Sequence, residues 1–226
     1  MRLLAIDTAL DACSVTVFDT ERDRPLSIES REIGRGHAEL LVPLVDQTMK
    51  AAGVKFDGID RIAVTVGPGS FTGLRVGLSA ARGFALAASK VAVGVTTLAA
   101  FTAPLIAENE AVPVVAVIDA KHGNLYLQMV GAGGRTLIAP RALSLREAIR
   151  AIALGPVRLV GTAAAMLAAH WPKGAPAPLL VDDRCAPDVS WVARLGAAAD
   201  PERAKARPLY LRRPDATPRD TAVARQ

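Results

Sequence analysis

The amino-acid sequence predicts an α/β protein built from two related halves. One observation is a buried-strand pattern at residues 64–66 that breaks into glycines and continues as a helix. Another is the order strand, strand, strand, helix, strand, helix, strand, which the apolar patterns predict for residues 3–95. From Val112 the pattern starts again with a strand, a tight turn and a second strand. This restart indicates a duplicated domain.

The first half opens with three predicted strands, at residues 3–6, 14–18 and 25–33, separated by polar turns. Short connections favour an antiparallel meander. Apolar residues recur at helical spacing from His37 to Ala52, and Gly53 is a natural stop for that helix. A strand at 62–66, a helix at about 72–89 and a strand at 91–95 follow, and the uncharged stretch up to Ala107 is best explained by a core helix.

In the second half we expect strands at 114–118 and 125–130, a helix at 144–153, a strand at 157–160 and a helix at 162–171. A proline-rich link over 172–178, a helix at 189–199 and a last short strand at 209–211 complete it. The expected boundaries are 1–105 for the first subdomain, 106–213 for a reduced second subdomain and 214–226 for a flexible basic tail.

Composition narrows the functional classes. With 226 residues, 51% of them hydrophobic, the chain can build a substantial core. A charge follows the first apolar residues too soon for a signal peptide, and we expect no membrane span. Cys13 and Cys185 lie far apart without CxxC spacing, which argues against a zinc ribbon or disulfide framework and suits the reducing cytoplasm.

Positive charge concentrates at the end of the chain. The formal net charge is +5, and residues 202–226 carry seven lysines and arginines against three acids. A basic tail of this kind can lie along RNA phosphates, so a direct RNA-binding module is one reading of the sequence. No aromatic residues are interleaved with these charges, and a solvated tail is the simpler interpretation.

The glycine segment from Gly67 to Gly73 follows a strand and precedes a helix, the position where open α/β sheets bind anionic ligands. A dinucleotide fingerprint would need a third glycine where Thr72 stands. A Walker loop would need a closing Gly-Lys-Ser/Thr, which is also missing. Ser70 and Thr72 can cap the helix without any ligand, so the segment either contacts a ligand or only turns the chain.

Five short motifs carry a resemblance to the TsaB (YeaZ) family. They are Leu4-Ala5-Ile6-Asp7-Thr8-Ala9, Ala12-Cys13-Ser14-Val15, Gly67-Pro68-Gly69-Ser70-Phe71-Thr72-Gly73-Leu74-Arg75, Ile118-Asp119-Ala120-Lys121 and Pro208-Leu209-Tyr210-Leu211-Arg212. The resemblance spans nearly the whole chain. It implies an actin-like ATPase (ribonuclease-H-like) fold of two related subdomains, the second one reduced.

The resemblance also implies a function. TsaB-like chains belong to the bacterial complex that attaches a threonylcarbamoyl group to the adenosine beside the anticodon of tRNAs. They are regarded as its non-catalytic scaffold, pairing with a TsaD-like catalytic subunit, while a TsaE-like ATPase supports turnover. A cytoplasmic protein that forms a homodimer when alone is the corresponding expectation.

The histidines agree with a non-catalytic role. The resemblance implies that the TsaD-like catalytic paralogue holds its metal with a His-x-x-x-His pair. The corresponding region of this chain, residues 95–102, contains no histidine. His37, His122 and His170 are the only histidines, and none lies within four residues of another. We therefore expect neither catalytic residues nor a metal site.

Nucleotide binding is the main alternative. In an actin-like fold, Asp7, Thr8 and Ser14 would form a first phosphate loop and Asp119 would open a second. Gly67 and Gly69 are further candidate phosphate or nucleotide contacts. Asp7 has a structural alternative, since an Asp after a strand often caps the following turn. The stretch 159–164 has one glycine where such sites usually show two. We expect no intrinsic cofactor, with ATP or ADP bound at most at an interface shared with the partner. A stand-alone ATP-dependent phosphotransferase remains the rival function.

Small residues recur every fourth position of the second predicted helix, at Gly73, Gly77, Ala81, Ala85 and Ser89. Such a stripe permits close packing, either on the chain's own sheet or on a partner's helix. The resemblance favours a partner, through a surface made by the first two helices. The predicted surface comprises Leu40, Leu41, Leu44, Val45, Thr48, Val76, Gly77, Ala80 and Ala81.

Overall fold

The computed structural model describes residues 1–212, and the flexible basic tail predicted at 214–226 lies outside them. The first sheet contains β1 (Arg2–Asp7), β2 (Ala12–Asp19), β3 (Arg24–Glu32), β4 (Arg61–Gly67) and β5 (Val91–Thr96), in the order β3-β2-β1-β4-β5. The first three strands form the predicted antiparallel meander, and β4 and β5 run parallel to β1.

Two helices cover one face of this sheet. Helix α1 (His37–Ala52) turns Leu41, Leu44 and Val45 into the core, and it ends at Gly53, whose positive φ of 65° suits a glycine. Helix α2 (Phe71–Ala88) begins after Ser70, whose hydroxyl accepts a hydrogen bond from the backbone N–H of Gly73. The sheet and these two helices share one apolar core.

The second sheet repeats the first. Its strands are β6 (Val114–Asp119), β7 (Asn124–Val130), β8 (Thr136–Ser144), β9 (Arg158–Val160) and β10 (Leu180–Asp182), in the order β10-β9-β6-β7-β8. Helix α4 (Leu145–Ile152) follows β8, and α5 (Ala164–Ala169) follows β9. The equivalent topology confirms the predicted duplication and fold class. The second copy is the smaller one, because β9 and β10 have three residues each.

The last helix of each half packs on the opposite half. Helix α3 (Thr97–Ala107) contacts β6 and β7 of the second sheet, while α6 (Val189–Ala198) packs on β1, β2 and β4 of the first. The guanidinium of Arg61 fixes the end of α6 by donating to the carbonyls of Gly196, Ala197 and Ala199 at 2.9–3.1 Å. The boundary at 105/106 stays a prediction, and residues 189–198 of the expected second subdomain pack on the first sheet.

After α6 the chain runs back across the ends of β4 and β5. The backbone N–H of Gly94 donates to Ala204 at 2.8 Å, and that of Leu209 donates to Val66 at 2.7 Å. The Arg82 Nε donates to the carbonyl of Ala206 at 3.0 Å. The strand predicted at 209–211 is thus not a strand, but its first residue does bond to β4. The segment brings Tyr210 and Arg212 beside the loops that follow β1, β4 and β6.

Within residues 1–212, no helix has both the length and the apolar character needed to cross a membrane.

Candidate functional site

A cleft of about 540 Å³ lies between the two halves. Its walls come from loops at the carboxyl ends of strands, where α/β sheets present backbone N–H groups to ligands. The first half supplies the loop after β1 and the glycine loop, and the second half supplies the turn after β6. The residues that line the cleft include Leu10, Asp11, Gly69, Ser70, Phe71, Asp119, Lys121, His122, Tyr126, Thr162, Tyr210 and Arg212.

Asp119 stands at the cleft and holds its own turn. Its Oδ1 accepts a hydrogen bond from the backbone N–H of Lys121 at 2.8 Å, and its Oδ2 lies 3.1 Å from the Lys121 ammonium. The backbone N–H of Asp119 donates to the Thr162 hydroxyl at 3.1 Å. These bonds place one carboxylate and one ammonium at the mouth of the cleft, with the Lys121 side chain largely exposed.

The predicted first phosphate loop does not face the cleft. Asp7, Thr8 and Ser14 are at most 2% exposed. The Thr8 hydroxyl donates to the carbonyl of Gly73 at 2.8 Å, and the Ser14 hydroxyl lies 2.7 Å from that of Ser30. These three side chains are therefore used inside the fold, which does not fit direct contact with a nucleotide phosphate.

The glycine loop is packed directly on the loop after β1. A Cβ atom at Gly69 would lie 2.2 Å from the carbonyl oxygen of Ala9, and one at Gly73 would lie 2.1 Å from that of Thr8. Gly67 has a φ of 105° and lies against the Leu209 carbonyl. Of these glycines, only Gly69 lines the cleft. The segment thus serves close backbone packing and leaves little backbone free for an anion.

Burial governs the chemistry of Asp7. Removal from water raises its pKa to about 6, although bonds from Thr65 and from the backbone of Ala9 act in the opposite direction. The Thr65 hydroxyl donates to Oδ1 at 2.6 Å, and within the described residues Oδ2 has no hydrogen-bond partner. Burial, and then the Asp7 charge, raise the pKa of the Cys13 thiol to about 11. Neither group is placed to serve a ligand in the cleft.

Six of the nine residues predicted for the partner surface are buried within the chain itself. Leu41, Leu44, Val45, Thr48, Gly77 and Ala81 are buried in the chain's own core, while Leu40, Val76 and Ala80 are partly exposed. Gly73, Gly77, Ala81 and Ala85 of the small-residue stripe are buried, whereas Ser89 is exposed. Gly77 lies against Thr8: a Cβ there would be 2.3 Å from the threonine hydroxyl oxygen. The stripe therefore serves internal packing.

The outer side of the same two helices carries an apolar groove. It consists of two adjoining concavities of about 480 and 580 Å³, and Val42, which is 56% exposed, borders both. Phe56 and Phe84 pack together at one end with their ring centroids 5.3 Å apart. At the other end, the Arg75 guanidinium lies 3.7 Å from the centre of the Phe71 ring. We call this surface the α1–α2 groove; its lining includes Ala38, Leu41, Val42, Val45, Met49, Val54, Phe56, Phe71, Arg75, Val76, Ala80 and Phe84. Four residues of the predicted partner surface, Leu41, Val45, Val76 and Ala80, therefore border the groove.

The histidines have separate local contacts. His37 is buried with Nε2 2.9 Å from the carbonyl oxygen of Leu10, and His170 places Nδ1 2.9 Å from that of Met166. His122 lies in the exposed turn after β6. Across residues 1–212, no three His, Cys, Asp or Glu residues form a group that could hold a metal.

Comparisons with known proteins agree with this architecture. A family model described as TsaD, tRNA N6-adenosine threonylcarbamoyltransferase, matches residues 28–171. A tRNA threonylcarbamoyladenosine biosynthesis protein TsaB from Escherichia coli K12 is 37% identical over 126 residues, which are 56% of this chain and 53% of that protein. The TsaB of Haemophilus influenzae is 32% identical, over 58% of this chain and 54% of its own length. The chain thus spans about half the length of the curated relatives it matches.

A solved structure covers more of the fold. The YeaZ protein from Pseudomonas aeruginosa superposes with a TM-score of 0.73 at 27% identity, over 93% of this chain and 99% of that one. A second structure from the same organism, described as an uncharacterized protein similar to the peptidase YeaZ, gives a TM-score of 0.76. The family model matches more than half of the chain and the relatives above carry the name TsaB, so the chain belongs to the TsaB (YeaZ) family within the group related to tRNA N6-adenosine threonylcarbamoyltransferase.

Proposed function

We propose that this chain is a non-catalytic scaffold subunit of the complex that transfers a threonylcarbamoyl group to the adenosine next to the anticodon of tRNAs. It acts by binding a TsaD-like catalytic subunit, with a TsaE-like ATPase as a further component, and it pairs with itself when alone. The relatives named TsaB support the pathway. The single structural observation that carries the scaffold role is the exposed apolar α1–α2 groove. The proposed location is the cytoplasm.

The groove has the properties of a surface that binds the equivalent helices of a related chain. Exposed apolar residues on adjacent helices mark interaction sites when they form a continuous patch. The family model described as TsaD matches this chain, so a TsaD-like protein shares part of its fold. Two related chains can pack equivalent helices around a pseudo-two-fold axis, as identical subunits do around a true one. The same groove then serves both the heteromer and the homodimer.

The experiment that tests the pairing combines the chain with the TsaD-like protein of its own organism and measures complex mass by size-exclusion chromatography with light scattering. Wild type is expected to form a heteromer. Val42→Asp places a charge in the groove and should prevent it. Leu86→Asp is the matched control, because Leu86 is 83% exposed on α2 but does not line the groove. Equal complex formation by both variants would place the interface elsewhere.

A stand-alone phosphotransferase is the second candidate function, and the inter-domain cleft is the observation that favours it. The cleft has room for a small molecule, and Asp119 and Lys121 stand at its mouth. Against it, the first-loop residues Asp7, Thr8 and Ser14 are engaged inside the fold. We therefore assign any ATP or ADP to a site completed by the partner.

A further inference from the structure

We propose that an exposed basic surface on the second half of the chain contacts the sugar-phosphate backbone of tRNA. The surface consists of Arg141 on β8 together with Arg146 and Arg150 on α4. This inference rests on the proposed function for the choice of RNA, and it assigns to the scaffold subunit a direct contact with the substrate.

The surface lies in a segment that is more basic than the first half of the chain. Between residues 120 and 157 the sequence carries one lysine and four arginines against a single acid, Glu147. In residues 1–106, by contrast, lysines and arginines equal the acids in number. Arg135, Arg141, Arg146 and Arg150 are all exposed. The local excess of positive charge therefore lies at the protein surface.

Local structure places these arginines on elements that pack against each other. Arg141 stands opposite Leu127 in the β7–β8 ladder, and α4 packs against both of these strands. Arg146 and Arg150 are four residues apart and project from the same side of α4, roughly 6 Å apart along its axis. The backbone N–H of Leu145 donates to the carbonyl of Gly123 at 3.3 Å, which joins the start of α4 to the turn bearing Lys121 and His122. The surface thus continues to the mouth of the cleft.

The acid within this segment is already engaged. The Glu147 carboxylate accepts hydrogen bonds from the hydroxyl of Ser144 at 2.7 Å and from its backbone N–H at 2.8 Å, which lowers its pKa. Arg158, Arg184 and Arg194 each form an ion pair with a carboxylate within 4 Å. Among the described residues, no such ion pair is formed by Arg141, Arg146 or Arg150. The Arg141 Nε donates to the carbonyl of Ala139 at 3.3 Å, and the charge of Arg150 also helps to lower the Glu147 pKa. The terminal nitrogens of the three guanidinium groups therefore remain for an external anion.

The chemistry of the surface selects its ligand. Guanidinium groups bind phosphate oxygens through paired N–H donors, and several of them in a row suit a polyanion. The sequence from Arg141 to Arg150 contains no aromatic residue on which a base could stack. We therefore expect contact with the sugar-phosphate backbone, without preference for a base sequence. Proteins that neutralise phosphates in this way show binding that weakens steeply with salt.

The test measures binding of the full chain to a fluorescently labelled tRNA transcript by anisotropy at several salt concentrations. The triple variant Arg141→Gln, Arg146→Gln, Arg150→Gln should bind about tenfold or more weakly. Its slope of log affinity against log salt should fall by about 2. The control Arg22→Gln, Lys173→Gln, Arg203→Gln removes the same charge from exposed positions elsewhere and should bind as wild type. Replacement of the three arginines by lysine should restore the slope.

The proposal is overturned if the arginine variant keeps the wild-type affinity and slope, or if the control variant loses as much. Thermal unfolding of each variant shows whether its fold is intact. Mixing the arginine variant with the TsaD-like protein separates the two claims. Normal pairing with unchanged tRNA binding contradicts the basic surface alone, whereas failure of the wild type to pair contradicts the proposed function alone.

Discussion

Thr8 occupies the space that a side chain at Gly77 would need. A Cβ at Gly77 would lie 2.3 Å from the Thr8 hydroxyl oxygen, and that hydroxyl is itself fixed by its hydrogen bond to the Gly73 carbonyl. This contact joins the loop after β1 to α2. It explains both why Gly77 of the small-residue stripe faces inward and why the first loop is closed to the cleft.

Gly77→Ala should destabilise the folded chain. The added methyl group must displace a buried, hydrogen-bonded threonine, and overpacking of this kind costs about 1–3 kcal/mol. Gly83→Ala is the matched control: Gly83 also lies in α2, but nothing approaches its Cβ position within 4 Å, so this variant should gain about 0.5–1 kcal/mol. Urea unfolding measures both. Equal stability of the two variants would contradict the packing described here.

Because of the raised pKa of Asp7, the free energy of unfolding should fall as pH rises from about 4 to 6. This pKa is raised from 3.8 to about 6 in the folded chain, so the folded state binds more protons than the unfolded state in this range. The stability of wild type relative to Asp7→Asn should be highest below pH 4 and should decrease by up to about 3 kcal/mol by pH 7. Denaturant unfolding of both proteins between pH 4 and 7 checks this. A difference that stays constant with pH would contradict the raised pKa.

Arg158→Met should destabilise the second half. Its buried guanidinium lies 2.9 Å from Glu108 and 3.1 Å from Glu110, and it donates to the carbonyls of Leu105 and Val112. Loss of these bonds should cost about 2 kcal/mol, since the glutamates are half-exposed and can be rehydrated. In Arg203→Met, removal of a largely exposed ion pair should cost little. If both substitutions have the same effect on thermal unfolding, Arg158 has no special role.

Mg-ATP should leave the thermal stability of the isolated chain unchanged. The residues expected to form a first phosphate loop are committed to internal hydrogen bonds. A site filled at 100 times its dissociation constant would stabilise the fold by about 2.7 kcal/mol, which a thermal-shift measurement detects easily. A clear upward shift with Mg-ATP, absent with Mg²⁺ alone, would favour the phosphotransferase alternative.

Much of the fold was predictable from the sequence because its strands and helices carry strong local patterns. The meander, α1, α2 and the restart at β6 follow from apolar periodicity and glycine stops. Strand β8 was missed because Pro140 and Arg141 interrupt its pattern, and β10 because it has three residues. The exchange of α3 and α6 between the halves has no local signal, since an apolar helix face does not specify which sheet it covers.

The candidate site was harder to predict. Asp119 and Gly69 line the cleft, and their contact with a phosphate stays a prediction. Tyr210 and Arg212 reach the cleft from a distant part of the sequence. The nine residues predicted for the partner surface follow helical spacing correctly, yet spacing alone does not separate the inward side of α2 from its outward side. Val42 and Phe84 could have been found as apolar positions that fall outside the buried stripe of their helices.

The central claim is that the chain supports tRNA modification by pairing and not through chemistry in its own cleft. The most direct measurement is incorporation of labelled threonine into tRNA by the reconstituted complex containing wild type, Val42→Asp or Asp119→Asn. We expect Val42→Asp to lose modification together with partner binding, and Asp119→Asn, which keeps the turn but removes the carboxylate, to retain it. Loss of modification in Asp119→Asn with normal partner binding would contradict the account.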